Sequence, residues 1–546
     1  MRSRFSWMMF WLLGAAVLWL VPGCAKDEEG TLTEIHVSQD SADEEEFITI
    51  DLTAPGGPAE IAETEEISNE EEIANAEEIA NAGGEGISGM ETVSFEEAEL
   101  PEETAETPVY VDPKKKNVIL MIADGAGFGS FYCAADHLTG SPTGCAYQKE
   151  PWKMVSMATF HKKSFYDPAQ DWEDFKELDV PFYEKEPAFI PPDSASTGTA
   201  MMTGVKTRNG RVGIGPADER LETIAEIFTK NGRRTGAVTS FQIASATMAA
   251  AAAHDVERKN GQKMFAEMLN GGNLNVIIGA AHPEFDDDAQ PQAPAFGRYG
   301  PSEELWGKIR AGELPEGWIF AEERAEIRGF AEATPDKNGV KLPENLLVIT
   351  QTANSFQCHR KIGAPFLAAS PTLAEASLAA LNVLAGTKSD GFFLLVEGGA
   401  VDAANDANDL GRCIEEMTDF NAAVEAVCRW VETYSSWEET LVIVTSDHDN
   451  GAIYGPETGS DALPSSAPIY RGKGQLPHAR YYATDHTKQL VPLYARGPGA
   501  ELLEELLVGK DEKMGAYWNY DGRYLDNTSV FRVMMHGIPV RGPGVK

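Results

Sequence analysis

Three stretches of this chain are apolar without alternation, and each runs into an acid. Asn117-Val118-Ile119-Leu120-Met121-Ile122 stops at Ala123-Asp124-Gly125, and Gly391-Phe392-Phe393-Leu394-Leu395-Val396 stops at Glu397-Gly398. Leu441-Val442-Ile443-Val444 passes through Thr445-Ser446 into Asp447-His448. Non-alternating runs of this length suit parallel strands buried on both faces. Helical stretches lie between them, for example 221–230 and 373–385, and that alternation predicts a layered α/β fold. Ligands of such sheets bind at the carboxyl ends of the strands. One acid at a strand end is common; three at equivalent ends mark a site.

The acids have company. Asp402 follows Glu397 by five residues, and Asp406 stands four further on, so a helix opening near Asp402 puts both on one face. His486 lies just ahead of the apolar Leu490-Val491-Pro492-Leu493-Tyr494. Carboxylates with one or two imidazoles suit zinc, and all-oxygen sets suit magnesium. Taken singly, Asp402 or Asp406 reads as a solvated helix residue, Asp124-Gly125 as a turn and His486 as a satisfied histidine. Together they read as a cation cluster. Pro192-Asp193-Ser194-Ala195 adds a small hydroxyl at the mouth of a predicted helix. Free serine is a poor nucleophile and needs a base, a lowered pKa or a metal; two cations can activate an attacking oxygen and stabilise a leaving one.

Charge separates the chain into parts. Of the net −41, residues 25–108 hold 27 acids against one lysine, a net of −26. This segment carries the hexads 65–70, 71–76 and 77–82, whose isoleucines six apart rotate around a helix axis instead of forming a stripe. With little apolar surface it cannot offset its ordering entropy and reads as a disordered tether over 24–112. An acidic surface without a basic stripe argues against nucleic-acid docking. Arg2 and Arg4 precede an apolar run from Trp7 to Val21 that ends at Gly23-Cys24. That run is short for a bilayer span and fits a signal peptide over 1–23. Cys24 after Gly23 resembles a bacterial lipobox, so the expectation is an exported lipoprotein, periplasmic or at the cell surface, anchored through Cys24. Five cysteines remain, Cys133, Cys145, Cys358, Cys413 and Cys428, and spacing alone does not pair them.

From about Lys114 to the C-terminus the chain resembles the alkaline phosphatase family. The resemblance rests on seven segments in order: 117–125; Pro192-Asp193-Ser194-Ala195 with Thr199-Ala200 and Thr203-Gly204-Val205-Lys206; Ala246-Thr247-Met248-Ala249-Ala250 through Ala253-His254 and on to Arg258; Val396-Glu397-Gly398; Asp402; Thr445-x-Asp447-His448; and His486-Thr487. It implies a catalytic domain over 113–546 with the family's three-layer α/β/α fold about a mostly parallel sheet. It also implies a phosphomonoesterase with two zinc ions and one magnesium, acting on small phosphate monoesters. Residue by residue, the resemblance gives one zinc to Asp124, Asp447 and His448, in contact with Ser194, and a second to Asp402 and His486. It gives magnesium to Asp124, Thr247 and Glu397, and the phosphate clamp to Arg258. Ser194 would attack phosphorus and form a phosphoserine that a zinc-activated water hydrolyses. Homodimers are common in the family, and nothing in these residues requires one.

Four positions depart from the pattern. Asp406 stands where the family usually has a histidine; it is read first as a ligand, which would harden the second site and admit another divalent ion, and otherwise as having an indirect role or as a solvated helix residue. Ser245 replaces a common Asp or His, Ala403 a basic or aromatic residue, and Met248 a proline. The placement of Cys358 and Cys413 loosely resembles a family disulfide. Residues 142–190 form an expansion holding Trp152, Phe160, Phe165, Tyr166, Trp172 and Phe175, read first as the packing of an inserted lobe and otherwise as a substrate pocket or dimer contact. The alternative functions are a phosphodiesterase or nucleotide pyrophosphatase of the same superfamily, and a catalytically degenerate lipoprotein that binds phosphate or metal. A sulfatase is disfavoured because no Cys/Ser-x-Pro-x-Arg segment occurs.

Overall fold

The computed structural model describes residues 115–169, 171, 190–334, 342–357, 365–386, 390–456 and 466–538. The expected leader, Cys24, the acidic tether, Trp172, Phe175 and Cys358 lie outside these residues.

The three apolar runs form adjacent strands: β1 (Asn117–Ala123), β7 (Phe392–Gly398) and β8 (Thr440–Thr445). Toward one edge follow β3 (Arg234–Gln242), β4 (Val276–Ala280), β6 (Asn345–Ile349) and β5 (Trp318–Ala321). Toward the other lie β13 (Val491–Arg496), β2 (Lys153–Ala158), β15 (Arg523–Asp526) and β14 (Leu507–Lys510). The full order is β14-β15-β2-β13-β8-β1-β7-β3-β4-β6-β5, eleven strands in one sheet. From β8 to β5 every pairing is parallel. β13 runs against both its neighbours, and β14 against β15.

The non-alternating composition follows from burial on both faces. Ile119 and Met121 of β1, with Leu394 and Val396 of β7 and Val442 and Val444 of β8, belong to one core. That core also takes the inner faces of helices Phe128–Thr139, Leu373–Ala385 and Leu410–Tyr434. Val118, Leu120, Phe393, Leu395, Leu441 and Ile443 belong to the opposite core, closed by helices Ser194–Thr203, Ile224–Lys230 and Thr528–Met535. Helices thus cover both faces of the sheet, the expected three layers. Parallel register fixes the rest: Ile122 pairs with Glu397 and with Thr445, so the three acid-bearing ends finish level.

Among the described residues Cys413 is a buried thiol on the helix packed behind β7, and Cys133, Cys145 and Cys428 lie elsewhere; the partner that the family resemblance gives Cys413, Cys358, lies outside the described residues. Burial pushes the Cys413 thiol up to about 12, as expected of a sulfur that serves as core packing. In the described part of the aromatic expansion, Trp152 and Tyr166 pack inward whereas Phe165 is exposed. Trp152 is buried and lies edge-on to Tyr147 and Trp437, while the Tyr166 hydroxyl donates to Asp511 at 2.6 Å.

Candidate active site and metal centre

The nucleophile segment is built by a helix cap. Asp193 is extended, and its Oδ1 accepts the Ser196 N–H at 2.9 Å, opening helix Ser194–Thr203 at Ser194 itself. Asp193 Oδ2 accepts the Gly210 N–H at 2.8 Å and Arg258 Nη1 at 3.2 Å. Burial opposes ionisation of Asp193, but the Arg258 guanidinium and these N–H groups hold its carboxyl below the ordinary range. Asn209 closes the turn from the other side: its Oδ1 accepts from Asp193 N at 3.2 Å and from Ser196 Oγ at 2.9 Å. Ser194 therefore sits at a helix N-terminus, where backbone N–H groups and the positive end of the dipole face an anion, with a guanidinium fixed beside it.

Ser194 Oγ lies 3.2 Å from His448 Nε2. That nitrogen is 3.3 Å from Asp447 Oδ2 and 3.6 Å from Asp124 Oδ1. Thr247 Oγ1 donates to Asp124 Oδ2 at 3.3 Å and approaches Asp447 Oδ2 at 3.5 Å. Glu397, Asp447, His448 and Thr247 are fully buried, and Asp124 is 6% exposed. Asp447 Oδ1 is tied down by the Gly125 N–H at 3.1 Å and the His448 N–H at 3.0 Å, leaving Oδ2 facing the cluster. His486 lies alongside, its ring stacked 3.8 Å from that of His448. Its Nδ1 donates to the Pro192 carbonyl at 3.0 Å, which turns Nε2 toward Asp402 Oδ1, 3.6 Å away.

The electrostatics are those of a cation site. Burial, then the neighbouring Asp447 and Asp402 carboxylates, push Asp124 well above its ordinary value and Glu397 up to about 7. Burial lowers the His448 imidazole and favours its neutral, ligand-competent form. Burial also works against Asp402, yet the adjacent His486 overrides it and keeps that carboxyl low. His448 Nδ1 and Ser245 Oγ are buried with no hydrogen bond from a described residue, and Asp124 Oδ1 and both Glu397 carboxylate oxygens are buried without a well-aligned one, Glu397 having Thr239 and Asp124 close by. Buried polar atoms are ordinarily satisfied, so this concentration of orphans at the strand ends fits bound cations. Two groupings have ligand geometry: Asp124, Asp447 and His448; and Asp402, His448 and His486.

Every residue expected at the site from sequence is therefore in one place except Asp406, which stands at the rim. It shares helix Ala400–Asp406 with Asp402, as its spacing implied, but is exposed, and its Oδ1 accepts from Asn450 Nδ2 at 2.6 Å. Two residues went unnoticed in the sequence. Asn209, in an Asn-Gly pair after the nucleophile helix, carried a turn signal. Asn450, two beyond His448, carried none.

A family model described as alkaline phosphatase matches residues 115–513, and the chain belongs to that family. Its relatives include alkaline phosphatase H of Pseudomonas aeruginosa, 27% identical over 427 residues, with 71% of this chain and 81% of the relative covered. Streptomycin-6-phosphate phosphatase of Streptomyces griseus is 28% identical over 427 residues, covering 71% and 86%. Among solved structures, the alkaline phosphatase of the Antarctic bacterium TAB5 matches with a TM-score of 0.52 at 18% identity, over 79% of this chain and 99% of that one. At that identity the likeness concerns the fold, the same three-layer architecture.

Proposed function

We propose that the protein hydrolyses phosphate monoesters through a phosphoserine on Ser194. The observation that carries this reading is Ser194 Oγ at the N-terminus of a capped helix, 3.2 Å from His448 Nε2, with Arg258 fixed to the Asp193 cap. Asp124, Asp447 and His448 would hold one zinc ion, Asp402 and His486 a second, and Asp124, Thr247 and Glu397 a magnesium ion; a mutant of the TAB5 alkaline phosphatase has Mg bound in its M3 site, which supports divalent cofactors here. When bound, such ions favour the serine alkoxide, supply the attacking water and stabilise the leaving oxygen.

The protein's own groups do the rest. Helix N–H groups and the Arg258 fork receive two non-bridging oxygens of the phosphoryl group. Ser194 Oγ attacks phosphorus as the bond to the leaving alcohol oxygen breaks, and that oxygen departs with a proton. Water then attacks the Ser194–O–P phosphorus, releasing phosphate and restoring the hydroxyl. Arg258 favours a monoester, whose terminal phosphoryl group offers free oxygens to clamp. Acid quenching during turnover of an aryl phosphate should trap phosphate on Ser194, and Ser194→Ala should trap none. The reading fails if metal-replete protein is never phosphorylated there, or prefers a bis-aryl phosphate over the aryl phosphate.

A further inference from the structure

Asn450 is a fully buried asparagine that the phosphoryl chemistry does not use. It lies in the two-residue strand β9 (Asp449–Asn450), paired with β12 (His486–Thr487) so that Asn450 stands opposite His486. Its backbone N–H donates to the Gly125 carbonyl at 3.1 Å, and that carbonyl also accepts Asn405 Nδ2 at 2.9 Å. Its side-chain Nδ2 donates to Asp402 Oδ1 at 2.8 Å and to Asp406 Oδ1 at 2.6 Å. Its Oδ1 is buried, with no hydrogen bond from any described residue.

The arrangement has a direction. Asp402 and Asp406 sit four apart on one helix, where like charges repel. A neutral amide presenting both N–H groups to them is the group that lets two carboxylates share this space, because each bond is charge-assisted. Turning the amide over would set Oδ1 against both acids, so the orphaned Oδ1 is the consequence of serving them. Asp402 belongs to a ligand grouping with His448 and His486, and Asp406 does not. The hydrogen bonds that join Asp406 to the cluster run through Asn450.

We propose that Asn450 is a positioning residue that clamps Asp402 and Asp406 together, and that Asp406 tunes cation retention through this amide instead of ligating the ion. The proposal rests on the metal reading of the site given above, and it is specific to this chain's pairing of Asn450 with Asp406. The measurement is zinc affinity of the full chain, by competition with a chromophoric chelator, alongside the melting temperature of the chelated protein. Asn450→Ala and Asp406→Ala should each weaken zinc binding about tenfold or more, while chelated Asp406→Ala melts with wild type. The double variant should be no weaker than the worse single one, since the two residues act in series. Asp406→Asn keeps an acceptor for the Asn450 amide and should retain zinc close to wild type. Should Asn450→Ala fail to fold, the rim variants Asp406→Ala and Asp406→Asn decide alone. Wild-type zinc affinity in Asn450→Ala, additive losses in the double variant, or an Asp406→Asn loss equal to that of Asp406→Ala would each overturn the proposal. A wild-type protein that binds no zinc would instead sink the metal reading itself.

Discussion

At the scale of single residues, the site's chemistry comes from a few side chains whose freedom has been removed. Arg258 is half-buried and held by Asp193, so its fork is aimed before substrate arrives. Charge-assisted bonds of this kind contribute roughly 1.5–3 kcal/mol, and each 1.36 kcal/mol is tenfold in rate. Arg258→Ala is thus expected to lower kcat/KM about 10- to 100-fold, mainly through KM, in steady-state assays on an aryl phosphate; an unchanged KM would remove Arg258 from phosphate binding. Legibility at this scale was uneven. Ser194, Asp124, Glu397 and Asp447-His448 could be read because each follows an apolar run or sits in a dense local motif. Asn450 could not, because an asparagine acquires a role only from which carboxylates surround it. For the same reason, the sequence reading favoured Asp406 as a direct ligand, whereas the ligand groupings among the described residues leave it out.

At the scale of elements, local rules placed the groups and long-range pairing joined them. Asp193 serves twice, capping helix Ser194–Thr203 through Oδ1 and holding Arg258 through Oδ2. Losing such a cap costs about 1 kcal/mol. Asp193→Ala should lower thermal stability by about that amount and also raise KM, whereas Asp193→Asn, still able to cap, should keep most of the stability and lose mainly substrate affinity. Equal melting losses in the two variants would show that the capping bond is not what stabilises this helix. The turn after β1 is set just as tightly: Gly125 has φ +65°, and a Cβ there would collide with the Asp402 carboxylate. The Asp-Gly pair was readable as a turn. That helix Ala400–Asp406 would press against it was not, since the two lie far apart in the chain.

At the scale of the whole molecule, two apolar cores hold a sheet whose carboxyl edge is loaded with buried acid. In the metal-free protein, burial and mutual repulsion raise Glu397 from about 4.5 to about 7, and raise Asp124 as well. A folded state that keeps protons the unfolded chain has released loses stability as pH rises between the two values. Chelated protein should therefore melt at progressively lower temperature from about pH 4.5 to about pH 7, and saturating zinc and magnesium should flatten that decline by stabilising the ionised folded form. Melting scans across pH with and without chelator check this; a chelated protein whose melting temperature climbs over that range would contradict the assignment of these protonation states.

The sequence by itself determined the layered α/β architecture, the helix opening at Ser194 and most of the cation-binding set, because unbroken apolar runs, cap residues and strand-end acids are local signals. Only the tertiary structure decided how those pieces touch. It brought Asn450 between two aspartates, and set His486 against Pro192 and His448. The physical reason is range. Burial pattern and capping act within a few residues, whereas a hydrogen bond between segments hundreds of positions apart depends on sheet register, which becomes definite only when the whole sheet has paired.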